Sequence, residues 1–124
     1  MLNEQQRFGQ KGESLAVRHL RSQGYEILAQ NYRTKVGEID IVAREGGALV
    51  FVEVKARKSD KYGDPKWAIT RAKQRKISMA ALYYLKVTGQ SGAKARFDVL
   101  TIKPDAAGKT VVEVIRNAFG LAYG

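Results

Sequence analysis

The sequence predicts an α/β domain in which helices cover at least one face of a mixed sheet. Two segments carry apolar residues at three-to-four-residue spacing, and five runs alternate in polarity and are rich in β-branched and aromatic side chains. Their order is helix, three strands, helix, strand, strand, which suits a layered α/β core. A chain of 124 residues is expected to form one domain over residues 1–124, large enough to bury a core without disulfide or metal staples.

The first helix is expected over roughly Leu2 to Ser22, where Phe8, Leu15, Ala16, His19 and Leu20 form one face and Gly24 closes the helix. Gly9 and Gly12 interrupt that face. Glycine costs about 1 kcal/mol inside a helix relative to alanine, so the pair implies close approach to the sheet or a substrate. The stretches "YEILAQNYRT" and "VGEIDIVARE" read as strands, Gly46-Gly47 as a hairpin turn, and "ALVFVEVKARK" as the third strand. "RKSDKYGDP" reads as a mobile loop. A second helix is expected from about Lys66 to Val87 with Ile69, Ile77, Ala80, Ala81 and Tyr84 inward, followed by the strands "ARFDVLTI" and "TVVEVIR" around the turn "KPDAAGK".

Composition narrows the function. Lys and Arg number 22 against 12 Asp and Glu, a formal net charge of +10, and this excess favours a polyanionic partner, with nucleic acid foremost. No stretch approaches the roughly 18 apolar residues of a spanning helix, and the polar start "MLNEQQRFGQKGE" does not resemble a secretory signal. The expectation is therefore no membrane partner and a cytoplasmic location. The absence of cysteine fits a reducing compartment and excludes thiolate metal sites and thiol nucleophiles. His19 is the one histidine, which excludes serine-histidine triads and histidine-rich zinc sites; it is expected to be packed against the core.

The central hairpin poses the chemical question, because Glu53 and Lys55 interrupt an otherwise apolar strand. If the loop spans Glu45 to Ala48, Arg44 faces Leu49, Val42 faces Phe51, Asp40 faces Glu53 and Glu38 faces Lys55, all on one face. Ile39, Ile41, Ala43, Val50, Val52 and Val54 make the other, fully apolar face. Two opposed carboxylates repel unless a cation or a proton sits between them. Carboxylate oxygens with water and phosphate are how Mg²⁺ or Mn²⁺ is usually held, and Lys55 on the same face suits orienting a water or stabilising charge on a phosphate. The plainer alternative is an outward face on which Glu38 and Lys55 form an exposed ion pair worth a few tenths of a kcal/mol.

The residues "GEIDIVA" and "LVFVEVKAR", with "GQKGESLAVRHLRSQGYEIL" before them and "AITRAKQRKISMAALYYL" and "RFDV" after, resemble the YraN-type family of bacterial proteins, over about Phe8 to Phe119. That family is similar in pattern to the PD-(D/E)xK nucleases, which include restriction endonucleases and archaeal Holliday-junction resolvases. The resemblance implies a restriction-endonuclease-like αβββαβ core and a Mg²⁺- or Mn²⁺-dependent endonuclease acting on DNA. Asp40 matches the metal-binding aspartate, Glu53 and Lys55 match the E-x-K element, and Glu13 matches a first-helix glutamate that completes the metal site in resolvase-like members. Ile39 stands where the superfamily name has proline. The backbone carbonyl of Val54 is expected as a further ligand, and a homodimer is expected by analogy with the resolvases.

Lys73 lies four residues from both Ile69 and Ile77 and so should point toward the sheet. Members of the superfamily commonly place a Lys or Gln of this helix near the metal, which makes Lys73, with Gln74 beside it, a candidate; otherwise its stem simply covers the core. Arg57, Lys58, Lys61, Arg71, Arg75 and Lys76 cluster around the loop and the exposed side of the second helix, where they would contact phosphates without reading sequence. Tyr62 and Trp67 could stack on unpaired bases. A binding protein for DNA or RNA that keeps the fold without turnover is the alternative, and a basic adaptor for a protein partner is a third that leaves the carboxylates unexplained.

Overall fold

The computed structural model describes residues 15–57 and 69–121. Residues 15–22 are helical (α1), followed by strands β1 (Glu26–Arg33), β2 (Glu38–Glu45) and β3 (Ala48–Ala56), helix α2 (Arg71–Val87), and strands β4 (Ala95–Pro104) and β5 (Thr110–Phe119). The five strands form one sheet in the order β1-β2-β3-β4-β5. All neighbours are antiparallel except β3 and β4, which run parallel. A parallel pair needs a crossover, and α2 lies within it. This is the mixed α/β sheet expected from the sequence, consistent with a restriction-endonuclease-like αβββαβ core.

Each face of the sheet packs on a helix. Val42, Leu49, Phe51, Phe97 and Val99 meet Ile77, Ala80, Ala81 and Leu85 of α2. Ile41, Ala43, Val50, Val52 and Leu100 meet Ala16, Val17 and Leu20 of α1 on the other face. Aromatic packing extends the α2 side: Phe97 stacks on Phe119 with ring centroids 4.9 Å apart, and Tyr84 stands edge-on to both Tyr32 and Phe51.

The hairpin has the expected register, with Arg44 opposite Leu49 and Val42 opposite Phe51. It is tighter than a four-residue loop. Glu45 pairs with Ala48 as well, so the turn is Gly46-Gly47 alone, with φ of 59° and 80°. Both values lie where side chains are penalised, and a two-residue turn of this hand suits the strand twist.

Two expectations about the ends of elements are corrected. Helix α2 begins at Arg71 rather than Lys66: Thr70 has extended backbone (φ −63°, ψ 158°), and its hydroxyl accepts the Lys73 amide at 3.1 Å, which makes it the N-cap. Ile69 precedes the helix yet remains buried against it. Ile39, expected beside Ile41, joins the α2-side cluster. It lies past the last β2–β3 pair, Ile41 with Val52, in a stretch flanked on β1 by Asn31 with φ of 53°. Regular alternation is lost where β2 leaves β3.

Candidate functional site

The departure of β2 from β3 builds the site. Hydrogen-bonded pairs alternate along an antiparallel ladder; starting from Glu45 with Ala48, the next after Ile41 and Val52 would join Ile39 to Val54. The ladder ends before it, and the Val54 amide donates to Asp40 Oδ2 at 2.8 Å. On the other edge of β3 the amides of Leu49 and Arg57 donate to the carbonyls of Lys94 and Ile102 at 2.8 and 2.7 Å. Even-numbered amides of β3 therefore face β2, and a carboxylate takes the place of a backbone carbonyl at the fork.

Glu53 is buried, with 6% of its surface exposed, while Asp40 is half-buried beside it. Burial pushes the Glu53 carboxyl up from 4.5 to about 7, and the negative charge of Asp40 adds to the shift. The Lys73 and Lys55 ammonium groups pull it back in part, and a side-chain hydrogen bond between Glu53 and Asp40 raises it again. Lys73 Nζ lies 3.9 Å from Glu53 Oε1 with its side chain 44% exposed. Lys73 thus points to the sheet as its spacing predicts. Gln74 turns away, its amide nitrogen donating to the Ile69 carbonyl at 3.0 Å.

Lys55 is half-buried two residues beyond Glu53, level with Thr101 of β4. Glu38 does not face Lys55; it pairs across β1 with Arg33 at 3.5 Å, because the strands have already parted. Of the basic residues expected to meet phosphate, Arg57 is half-buried at the end of β3, Arg71 and Lys76 are exposed, and Arg75 is half-buried on α2. Glu13, Lys58, Lys61, Tyr62 and Trp67, with the part of the first helix before residue 15, lie outside the described residues.

Among the described residues no group of three or more Asp, Glu, His or Cys converges on one point. Two carboxylates do, at the fork. Hard divalent cations that keep most of their water need only one or two protein carboxylates, and a buried glutamate with raised proton affinity beside an aspartate is a donor set that a cation would stabilise. The pair fits Mg²⁺ or Mn²⁺ on that ground.

Sequence reasoning missed a second ionic cluster at the hairpin end of the sheet. Arg96 Nε lies 3.0 Å from Asp98 Oδ1 and Arg96 Nη2 2.8 Å from Glu45 Oε1, and Arg116 also pairs with Glu45. The Tyr25 hydroxyl donates to Asp98 Oδ2 at 2.8 Å, and the Asn117 amide to Asp98 Oδ1 at 2.9 Å. Burial, then the hydrogen bond to Asp98, raises the Tyr25 hydroxyl above its ordinary value. The "RFDV" stretch contains the arginine and the aspartate but not the partners. His19 is half-buried and lines a cleft of about 360 Å³ nearby with Gln23, Tyr25 and Arg116.

Sequence comparison places the chain among its relatives. The sequence pattern of "Uncharacterised protein family UPF0102" matches residues 12–102, which include Glu13, Asp40, Glu53, Lys55 and Lys73. The chain belongs to the UPF0102 family. A UPF0102 protein of Desulfosudis oleivorans is 55% identical to it over 96% of this chain and 94% of its own length. One from Geobacter metallireducens is 53% identical over 93% of both chains, and one from Symbiobacterium thermophilum is 44% identical over 91% of this chain and 96% of its own. Membership in UPF0102 agrees with the YraN-type resemblance read from the "GEID" and "FVEVK" stretches. No helix among the described residues is long and apolar enough to cross a membrane.

Proposed function

We propose that this UPF0102 chain is a Mg²⁺- or Mn²⁺-dependent endonuclease acting on DNA. The observation that carries the reading is the fork. Buried Glu53 lies against Asp40 with one ion pair among the described residues, to Lys73 at 3.9 Å. Asp40 and Glu53 would hold the cation, and the Val54 carbonyl, on the same side of β3 as the amide bound to Asp40, is the further ligand. A bound divalent cation supplies an activated water and neutralises charge on the phosphate. Lys55 would orient the attacking water and stabilise charge gathering on the phosphoryl oxygens. Lys73 moderates the charge of Glu53, and the net charge of +10 attracts the DNA backbone. Arg57, Arg71, Arg75 and Lys76 would supply phosphate contacts; Lys58 and Lys61, which the sequence adds to this set, and Glu13, which it adds to the cation site, lie outside the described residues.

The test is a set of supercoiled, linear, flapped and four-way-junction DNAs with millimolar Mn²⁺, comparing wild type with Glu53→Gln and Lys55→Ala. Wild type should cut at least one substrate and gain thermal stability with Mn²⁺, because a ligand bound only by the native state stabilises it. Glu53→Gln should lose both. Lys55→Ala should keep the thermal shift and lose about a hundredfold or more in rate, the scale of removing one charge-stabilising group. A wild type that binds DNA, cuts none of these substrates and shows no shift with Mn²⁺ is a non-catalytic nucleic-acid-binding protein instead.

A further inference from the structure

The β1–β2 turn and α2 enclose a cleft that the carboxylate site does not use. Arg33, Thr34, Lys35 and Val36 line it on one side and Tyr83 on the other, and its volume is about 660 Å³. Val36 is 50% exposed and Tyr83 51% exposed, so an aromatic and an aliphatic side chain stand open to water among cations. The turn is preorganised. The Thr34 hydroxyl accepts the amides of Val36 and Gly37 at 3.2 and 3.1 Å and donates to the Gly37 carbonyl at 2.9 Å. A methyl group on Gly37 would come within 2.4 Å of the Lys76 carbonyl oxygen, so the turn sits directly on α2.

The cleft shares its β1–β2 wall with a second cleft that reaches Lys73, beside the carboxylate site. Arg33 through Val36 also line a neighbouring cleft with Lys73 and Lys76, and Lys73 reaches Glu53. The acid among the described lining residues is Glu38, already paired with Arg33. Along α2 the ten steps from Lys73 to Tyr83 span about 15 Å, or about four base steps of a nucleic-acid strand at 3.4 Å each. Cations that follow a strand beside an exposed aromatic are how proteins hold unpaired nucleotides, with phosphates on the charges and a base on the ring.

We infer that this cleft takes an unpaired base of the DNA substrate, stacked on Tyr83 and Val36, while Arg33, Lys35 and Lys76 hold the adjoining phosphates. This rests on the nucleic-acid reading above and adds the substrate class: DNA with a gap, flap or branch within about four nucleotides of the scissile phosphate, from the same helical span.

The experiment measures binding in EDTA to a duplex and to the same duplex with a short gap carrying 2-aminopurine, for wild type, Tyr83→Phe and Tyr83→Ala. Wild type and Tyr83→Phe should bind the gapped DNA at least about tenfold more tightly than duplex and quench the 2-aminopurine, as stacking on a sequence-tolerant aromatic platform requires. Tyr83→Ala should lose the preference and the quenching and keep duplex binding. Equal affinity of wild type for both DNAs, or an equal loss on both in Tyr83→Ala, overturns the cleft assignment and leaves the nucleic-acid reading standing. Binding to neither DNA overturns both. A wild-type dimer that Tyr83→Ala converts to monomer overturns the assignment in favour of a second copy of the chain on this surface.

Discussion

Two buried carboxylates lie on neighbouring strands of one sheet and are treated in opposite ways. Asp98 has no exposed surface and is fully compensated: Arg96 binds both of its oxygens, and Tyr25 and the Asn117 amide donate to it. Glu53 is nearly as buried, yet its charged neighbours among the described residues are another carboxylate, a half-exposed lysine at 3.9 Å and the half-buried Lys55, which offset its charge only in part. Burial is common to both, so burial does not mark a site. What separates them is whether the fold itself supplies the compensating charge. Asp98 holds β4 to β5 and to the hairpin end; among the described residues Glu53 has only the partial offset of Lys73 and Lys55, and a proton or something brought from solution completes it.

The largest effect should come from breaking the compensated cluster. Asp98→Asn leaves Arg96, with its side chain only 16% exposed, short of its counter-charge, and removing one partner of a buried pair typically costs about 3–5 kcal/mol. Urea denaturation at pH 8 is the measurement, and a loss below about 1 kcal/mol, the range of exposed pairs, would place Asp98 in that weaker class.

The same change of acid to amide at the fork should have the opposite sign. The Glu53 carboxyl titrates near 7 when folded, against 4.5 ordinarily. Between those values the native state holds a proton that the unfolded chain does not. Stability from this source is complete below pH 4.5, falls as pH rises, and is gone above pH 7. At about 1.4 kcal/mol per unit of pKa the ionised group costs a few kcal/mol. Glu53→Gln should therefore be the more stable protein at pH 8, with the difference from wild type growing between pH 4.5 and 7 and flat outside that window. A difference that is independent of pH would show that Glu53 is not strained by its charge.

The smallest effect sharpens the comparison at Lys73. Lys73→Met removes the ammonium that partly offsets Glu53, so the glutamate should titrate higher still. The stability lost at pH 8 should stay below about 1 kcal/mol, because a lysine this exposed is screened by water. Carboxyl-carbon NMR titration reads the shift directly, and an unmoved Glu53 midpoint would remove Lys73 from the site.

What the sequence disclosed follows from distance along the chain. Asp40 and Glu53 could be brought near each other on paper because period-two alternation and a Gly-Gly turn set the register of one hairpin, although its ladder stops at Ile41 and Val52, one pair short of them. Lys73 was legible through helical spacing against Ile69 and Ile77. Tyr25 and Asp98 are separated by 73 residues, and nothing periodic connects them. The contact of Gly37 with α2 joins two elements whose relative placement no local pattern states. The start of α2 was misjudged for a smaller reason: a hydrophobic stripe does not stop at a cap, so Ile69 read as helical although it precedes the helix and packs against it. Ile39 and Glu38 were misplaced by the assumption that the ladder continues, which fails at the fork.

The fork also has a meaning in terms of chain closure. The bond from Val54 to Asp40 closes 14 residues across a Gly-Gly turn, whereas Tyr25 to Asp98 closes 73. With closure entropy growing as (3/2)RT ln n, the short loop is favoured by about 1.5 kcal/mol. Separating the turn that ends α1 from β4 strips Tyr25 from the Arg96 cluster while β2 and β3 stay paired through their own turn. The carboxylates that are least compensated are joined through a short stretch of chain, whereas the cluster that neutralises charge most completely draws its tyrosine from 73 residues away along the sequence.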